Sequence, residues 1–303
     1  MAPTPGELSP PVRAFSWFLL LFAVAFAVVA VGTYPAWLAL HPHFDFPFHR
    51  IGERIGMVAL AAGFVAVARR LRLADRASLG YGLPRPLFVR EMLTGLALGV
   101  ATMGVVVAFM SALGLLEWSR PDSGSALARL IVARLLSGLI VALIEETFVR
   151  GAMYTAIERE SGVRTAVLLT ALLYAASHFF GKVRIAPEDV TAWSGVALLT
   201  QSLQAFAHFG GILDAFLALT AVGVVLGLVR RATGNIAACL GLHAGWVWVM
   251  LVVHELAAPR PDAPLGFLLS RFDGFVGWLV LAWTVLLAVP IWLFYARRAA
   301  RRS

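Results

Sequence analysis

Apolar residues in this chain do not alternate with polar ones; they run on without interruption. Such runs cover about 15–40, 53–70, 92–116, 128–157, 164–180, 212–229, 236–256 and 271–296. At 1.5 Å of rise per residue, each is long enough as a helix to cross a hydrocarbon core about 30 Å thick. A membrane barrel would need short strands of alternating polarity, so the continuous runs predict helices. The first run exceeds the apolar core of a secretory signal, about 7–15 residues, and reads as a retained helix. One stretch, Asp189 to Gly211, is different: it carries Thr191, Ser194, Thr200, Gln201, Ser202, Gln204 and His208. If it spanned, the arginines that follow it would change sides, so it is expected to be interfacial or re-entrant. The pattern therefore predicts an all-α, polytopic transmembrane helical bundle of about eight spans, in a single integral membrane domain over 1–303.

Composition agrees with burial in lipid. Hydrophobic residues make up 60% of the chain and charged ones 14%, against about 45–50% apolar in a soluble domain; the mean hydropathy is +0.83. The net charge of +8 would suit nucleic acid if it lay on one basic face. It lies instead in short clusters at the ends of apolar runs: Arg69, Arg70, Arg72, Arg76, Arg85 and Arg90, then Arg159 and Arg164, Arg230 and Arg231, and Arg297, Arg298, Arg301 and Arg302. That placement is a topology signal, so the expected partner is the lipid bilayer and not nucleic acid. Eight spans put every cluster and both termini on the cytoplasmic side, in what the compact loops suggest is a prokaryotic cytoplasmic membrane. Cys239 is the one cysteine, which excludes an intrachain disulfide and a CxxC metal cluster.

The chemistry lies in a few ionisable groups inside the apolar runs. Within Ile144-Glu145-Glu146-Thr147-Phe148-Val149-Arg150 two carboxylates and an arginine sit in one span, where burial is costly unless they are paired or wetted. Glu146 and Arg150 are four apart and share a helix face. Glu145 is rotated by about 100° and needs a partner from another helix. His178 and His243 offer one. Counted from the ends near 157, 164 and 232, Glu145, His178 and His243 lie at a common depth of about 16–21 Å. A carboxylate and two imidazoles meeting there can activate water or hold a metal ion such as zinc through Glu145, His178 and His243.

The ordered series EExxxR, aromatic-xxxH and a histidine in Gly241-Leu-His243-Ala resembles the CPBP family, the CaaX-protease and bacteriocin-processing (Abi) intramembrane endopeptidases. The resemblance covers roughly 128–256, and Leu79-Gly-Tyr-Gly-Leu-Pro-Arg-Pro86 is similar to a linker often seen upstream in that family. It implies an endopeptidase acting on membrane-associated peptide or protein substrates, leader-bearing or prenylated, with Glu145, Glu146, His178 and His243 as catalytic residues. Arg150 would organise the site and Glu145 would activate water with His178. A zinc-dependent and a metal-free glutamate mechanism are equally compatible with it. The chain departs from the family pattern twice. Tyr174 stands where phenylalanine is usual, and Val247 stands where an Asn or Asp is usual four residues after the third-motif histidine. Losing an oxyanion donor costs about 10²–10³ in rate; Trp246, through its indole N–H, and Tyr174, through its hydroxyl, are the candidate substitutes.

The rival reading is a non-enzymatic transporter or scaffold whose Glu, His and Arg groups form a proton relay or packing device. Val247 favours it; the lack of an evident internal repeat does not. Among other features, His254-Glu255 begins an HExxH motif that Ala258 closes off. His41, His43, Asp45 and His49 crowd a loop rich in Phe and Pro that reads as an interfacial turn. Asp214 is expected to cap a helix.

Overall fold

Among the described residues of the computed structural model, seven helices are long and apolar enough to cross a membrane. The structure describes residues 13–180 and 183–301; Lys182, Arg302 and the proline-bearing start of the chain lie outside them. In chain order the α-helices are α1 (Arg13–Leu40), α2 (Phe48–Arg70), α3 (Arg85–Ala112), α4 (Gly124–Glu146), α5 (Tyr154–Ser177), α6 (Ser194–Ser202), α7 (Gln204–Ala207), α8 (Leu213–Thr233), α9 (Ala237–Leu256) and α10 (Trp278–Ala300). Two three-residue strands, β1 (Leu116–Trp118) and β2 (Ala257–Pro259), pair antiparallel and clip the end of α3 to the end of α9.

Local chemistry sets several boundaries. Ser123 caps α4 by accepting the Ala126 N–H, and the Asn235 Oδ1 accepts the Ala237 N–H at the start of α9. α8 ends at Gly234, whose φ of 68° suits a residue without a Cβ. Pro35 and Pro290 lie inside α1 and α10, as membrane helices tolerate. Asp214 does not cap α8: the cap position is Ile212, which makes no side-chain cap bond. Asp214 sits in the first turn, where its charge opposes the helix dipole.

The eight expected runs and the seven long helices describe one path. The segment Gly124–Ser177 is 54 residues long, about 80 Å if straight and more than twice a hydrocarbon core. It reverses at Gly162, which has φ 81° and ψ 170°. Going along α8 from Gly223 to Arg230, the first arm presents Arg150 and then Thr155. Along the same stretch the second arm presents Ala171 and then Val167. The two arms, 124–161 and 163–177, are therefore antiparallel. The Asp189–Gly211 stretch does not span: α6 is nine residues long and rests on α1 and α2, with Gly195 against Ala30 and Leu198 against Gly52.

α9 is the most enclosed of the seven, with 61% of its apolar window buried. Small residues allow this. Gly95 and Gly99 of α3 face Gly241 and Gly245 of α9 so closely that an added Cβ would strike the opposing backbone. Two such Gly-xxx-Gly ridges let helices approach on dispersion contact in lipid, where no hydrophobic effect drives them together. The same helix carries His243, so its fit against α3 decides where that imidazole stands.

Candidate active site

The EExxxR motif lies where regular helix geometry stops. α4 ends at Glu146, and Thr147–Met153 continue as a π-helix before α5 resumes the α form. Single π-turns of this kind concentrate at functional sites because they shift the register of side chains on a helix. Phe148 at this turn packs edge or tilted against Phe18, Phe22 and Phe64, centroids 5.4–5.8 Å away, and fastens α1 and α2 beside the motif.

Glu146 and Arg150 are fully enclosed and paired, with Arg150 Nη1 donating to Glu146 Oε1 at 2.9 Å. The same oxygen receives His243 Nδ1 at 2.8 Å. Arg150 Nη2 donates to the Gly223 carbonyl at 3.2 Å, and its guanidinium lies 4.5 Å from the Tyr174 ring centroid. One buried oxygen thus links α4, the π-turn and α9. A hydrogen bond at Nδ1 also fixes the neutral tautomer of His243 as Nδ1–H, leaving Nε2 as the free ring nitrogen.

That nitrogen faces Glu145 Oε2 at 3.8 Å and the Tyr174 hydroxyl at 3.4 Å. Glu145 differs from its neighbour: its side chain keeps 33% of its exposure and lines a cavity of about 750 Å³. The walls are apolar, from Phe22, Leu60 and Phe64 on one side and Ile144 and Phe148 on the other. Glu145 Oε2 and Glu146 Oε2 are buried without a hydrogen-bond partner among the described residues. Unpartnered buried carboxylate oxygens are unusual in a packed interior, and the Glu145 side chain that carries one of them lines the cavity.

The structure brings Glu145, Glu146, Arg150, Tyr174 and His243 into one connected cluster. His178 stands at its edge: Nδ1 donates to the Tyr174 carbonyl at 2.8 Å, and the ring is 4.7 Å from the Tyr174 ring. Trp246 is turned away, its indole N–H donating to Thr102 Oγ1 on α3 at 2.9 Å. Among the described residues no group of three His, Cys, Asp or Glu side chains is gathered to hold a metal ion. The set Glu145, His178 and His243 therefore does not fit one as it stands. The loop histidines do not form a cluster either: His41 stacks on Trp37. His254 donates to the Met250 carbonyl and lies on Phe275.

Two contributors had no evident signal in the chain. Tyr81, from loop 71–84, reaches the cavity wall, and its hydroxyl lies 2.5 Å from Thr147 Oγ1, directly after the paired glutamates. Burial raises the Tyr81 pKa above the ordinary tyrosine value. Its segment carries the family-like linker, and only the fold reveals that it touches the motif. The other contributor is the Gly223 carbonyl, a backbone partner of Arg150 that no side-chain motif encodes.

A family model described as type II CAAX prenyl endopeptidase, Rce1-like, matches residues 127–249. Every group in the cluster from Glu145 to His243 lies inside that segment. No curated protein and no solved structure matches the chain.

Proposed function

We propose that Glu145 activates water for peptide-bond hydrolysis at the cavity floor, a reading supported by the match of residues 127–249 to the family model described as type II CAAX prenyl endopeptidase. The observation that carries this reading is the contrast between two adjacent carboxylates. Glu146 is fully enclosed and bonds Arg150 and His243 through Oε1, whereas the Glu145 side chain stays one-third exposed and lines the cavity.

In this reading water attacks the substrate carbonyl carbon and gives its proton to Glu145. The tetrahedral intermediate collapses as Glu145 returns that proton to the leaving nitrogen, so the same carboxylate serves as base and then as acid. Glu146 and Arg150 are positioning residues that hold the His243 ring with Nε2 toward the reacting centre. His178 assists Glu145 as a second proton acceptor, its Nδ1 being held by the Tyr174 carbonyl. The Tyr174 hydroxyl is the donor near enough to face the carbonyl oxygen as it gains charge. It would take the role that Val247 cannot fill, and Trp246 is committed elsewhere. The apolar cavity walls suit a substrate carried on a lipid group or a hydrophobic leader.

The test is cleavage by Glu145→Gln, which keeps the shape and removes the proton acceptor. Turnover should fall by about 10²–10⁴ while thermal stability stays within about 0.5 kcal/mol of wild type. Full turnover by Glu145→Gln would remove Glu145 from the mechanism.

A further inference from the structure

A second polar recess lies away from the glutamates. It sits where α1 begins, α2 ends and the 124–177 hairpin turns, so it opens at one bilayer surface. Its volume is about 280 Å³, and Arg13, Arg70 and Arg159 stand around it with Trp17. Glu160 also lines it, but both its oxygens are engaged, Oε1 with the Arg13 N–H at 3.0 Å and Oε2 with the Ala14 N–H at 2.6 Å. Its charge is thus spent on the start of α1, where it opposes the helix dipole. Arg159 is committed in part to the Arg72 carbonyl and Ser78 Oγ. Arg70 lies 5.8 Å from the Trp17 ring centroid, and neither it nor Arg13 has a side-chain hydrogen bond or ion pair among the described residues. Two guanidiniums with unspent donors, a third beside them and a carboxylate already satisfied make a recess suited to a multivalent oxyanion.

We propose that this recess binds the phosphate group of an anionic phospholipid. The location selects a lipid over a free ion. Below the arginines the walls turn apolar through Ala14, Leu71 and Ala156, and deeper along α1 the exposed Leu20 and Val24 offer a path for an acyl chain. Trp17 is placed as an interfacial aromatic between the two regimes. Basic recesses between membrane helices at the surface attract anionic headgroups, each nearby arginine adding about fivefold to affinity.

The experiment titrates the full chain in neutral micelles with phosphatidylglycerol, phosphatidylcholine or inorganic phosphate, reading lipid adducts by native mass spectrometry and stabilisation by thermal unfolding. Wild type should retain phosphatidylglycerol adducts and melt higher with that lipid than with phosphatidylcholine. The Arg13→Gln/Arg70→Gln pair should bind it roughly 30-fold more weakly, and Arg70→Gln alone about fivefold more weakly. The single variant decides the matter if the double variant fails to fold in phosphatidylcholine. A control pair, Arg297→Gln/Arg301→Gln, should bind as wild type does. Undiminished phosphatidylglycerol binding by the recess variants would overturn the proposal. An equal loss in the control pair would do so too, by assigning the effect to diffuse charge. So would full reproduction of the stabilisation by inorganic phosphate, which would assign the recess to a free ion.

Discussion

Replacing Gly241 by alanine should damage both stability and chemistry through a single methyl group. A Cβ at this position would lie 1.9 Å from the Met92 carbonyl oxygen and 2.6 Å from the Leu96 nitrogen, both backbone atoms of α3. Ordinary contact begins near 3.4 Å, so α3 and α9 must separate by about 1–1.5 Å, because backbone cannot swing aside as a side-chain tip does. Such overpacking costs about 1–3 kcal/mol. His243 is two residues away on the same helix, and its Nδ1 reaches Glu146 at 2.8 Å, so the shift lengthens the bond that aims the imidazole. Misplacing a catalytic group by about 1 Å costs about 10²-fold in rate. The series supplies its own scale. Gly95 and Gly99 face backbone at 2.5 Å and Gly138 at 3.0 Å, whereas Gly104 has nothing within 4 Å. Thermal unfolding in detergent and cleavage of an apolar-tailed peptide should rank Gly241→Ala worst and Gly138→Ala mild, with Gly104→Ala at or slightly above wild type. If Gly241→Ala melts and cleaves as Gly104→Ala does, the close approach of α3 and α9 is not what positions His243.

Glu146→Gln should lower stability by about 3–5 kcal/mol, since it leaves the fully enclosed Arg150 charge without its partner; unfolding in detergent that matches Glu145→Gln would contradict this. Tyr174→Phe keeps the ring over Arg150 and removes only the hydroxyl, so kcat should drop by about 10²–10³ with KM little changed; an unaltered kcat would remove Tyr174 from the oxyanion role. Tyr81 has its pKa raised above 10.0, chiefly by burial. The unfolded chain therefore loses that proton first as pH rises. The stability linked to neutral Tyr81 is complete below pH 10.0 and declines above it, through the raised value. The difference in melting temperature between wild type and Tyr81→Phe should therefore shrink in alkali; a constant difference would contradict the burial of its hydroxyl.

The long helices were legible because lipid leaves the backbone few options, and an apolar run of spanning length has to become a helix. The Glu146–Arg150 pair was legible for a similar reason: four residues on a helix bring side chains to one face, and a buried charge needs its opposite. Which glutamate meets His243 was not legible. A regular 3.6-residue wheel leaves Glu145 as the group that needs a partner from another helix, yet Glu146 Oε1 receives both Arg150 and His243 Nδ1. One oxygen with two donors, beside a π-turn that regular periodicity does not encode, explains the difference. The hairpin at Gly162 was legible as the break between the runs 128–157 and 164–180, where charged and polar residues with a glycine interrupt the apolar pattern. Trp246 fell on the far side of α9 because Thr102, on a helix more than a hundred residues away in sequence, supplies its acceptor. Tyr81 reached the site through tertiary folding of a loop, and local pattern carries no trace of that.

If Glu145 performs proteolysis within the membrane, the difference will be plainest in peptide termini compared between membranes from cells making the intact chain and its Glu145→Ala form at equal level. New termini on membrane-associated peptides, read by mass spectrometry, should appear in the first sample and vanish in the second. Identical termini in both, with the variant folded, would contradict that role.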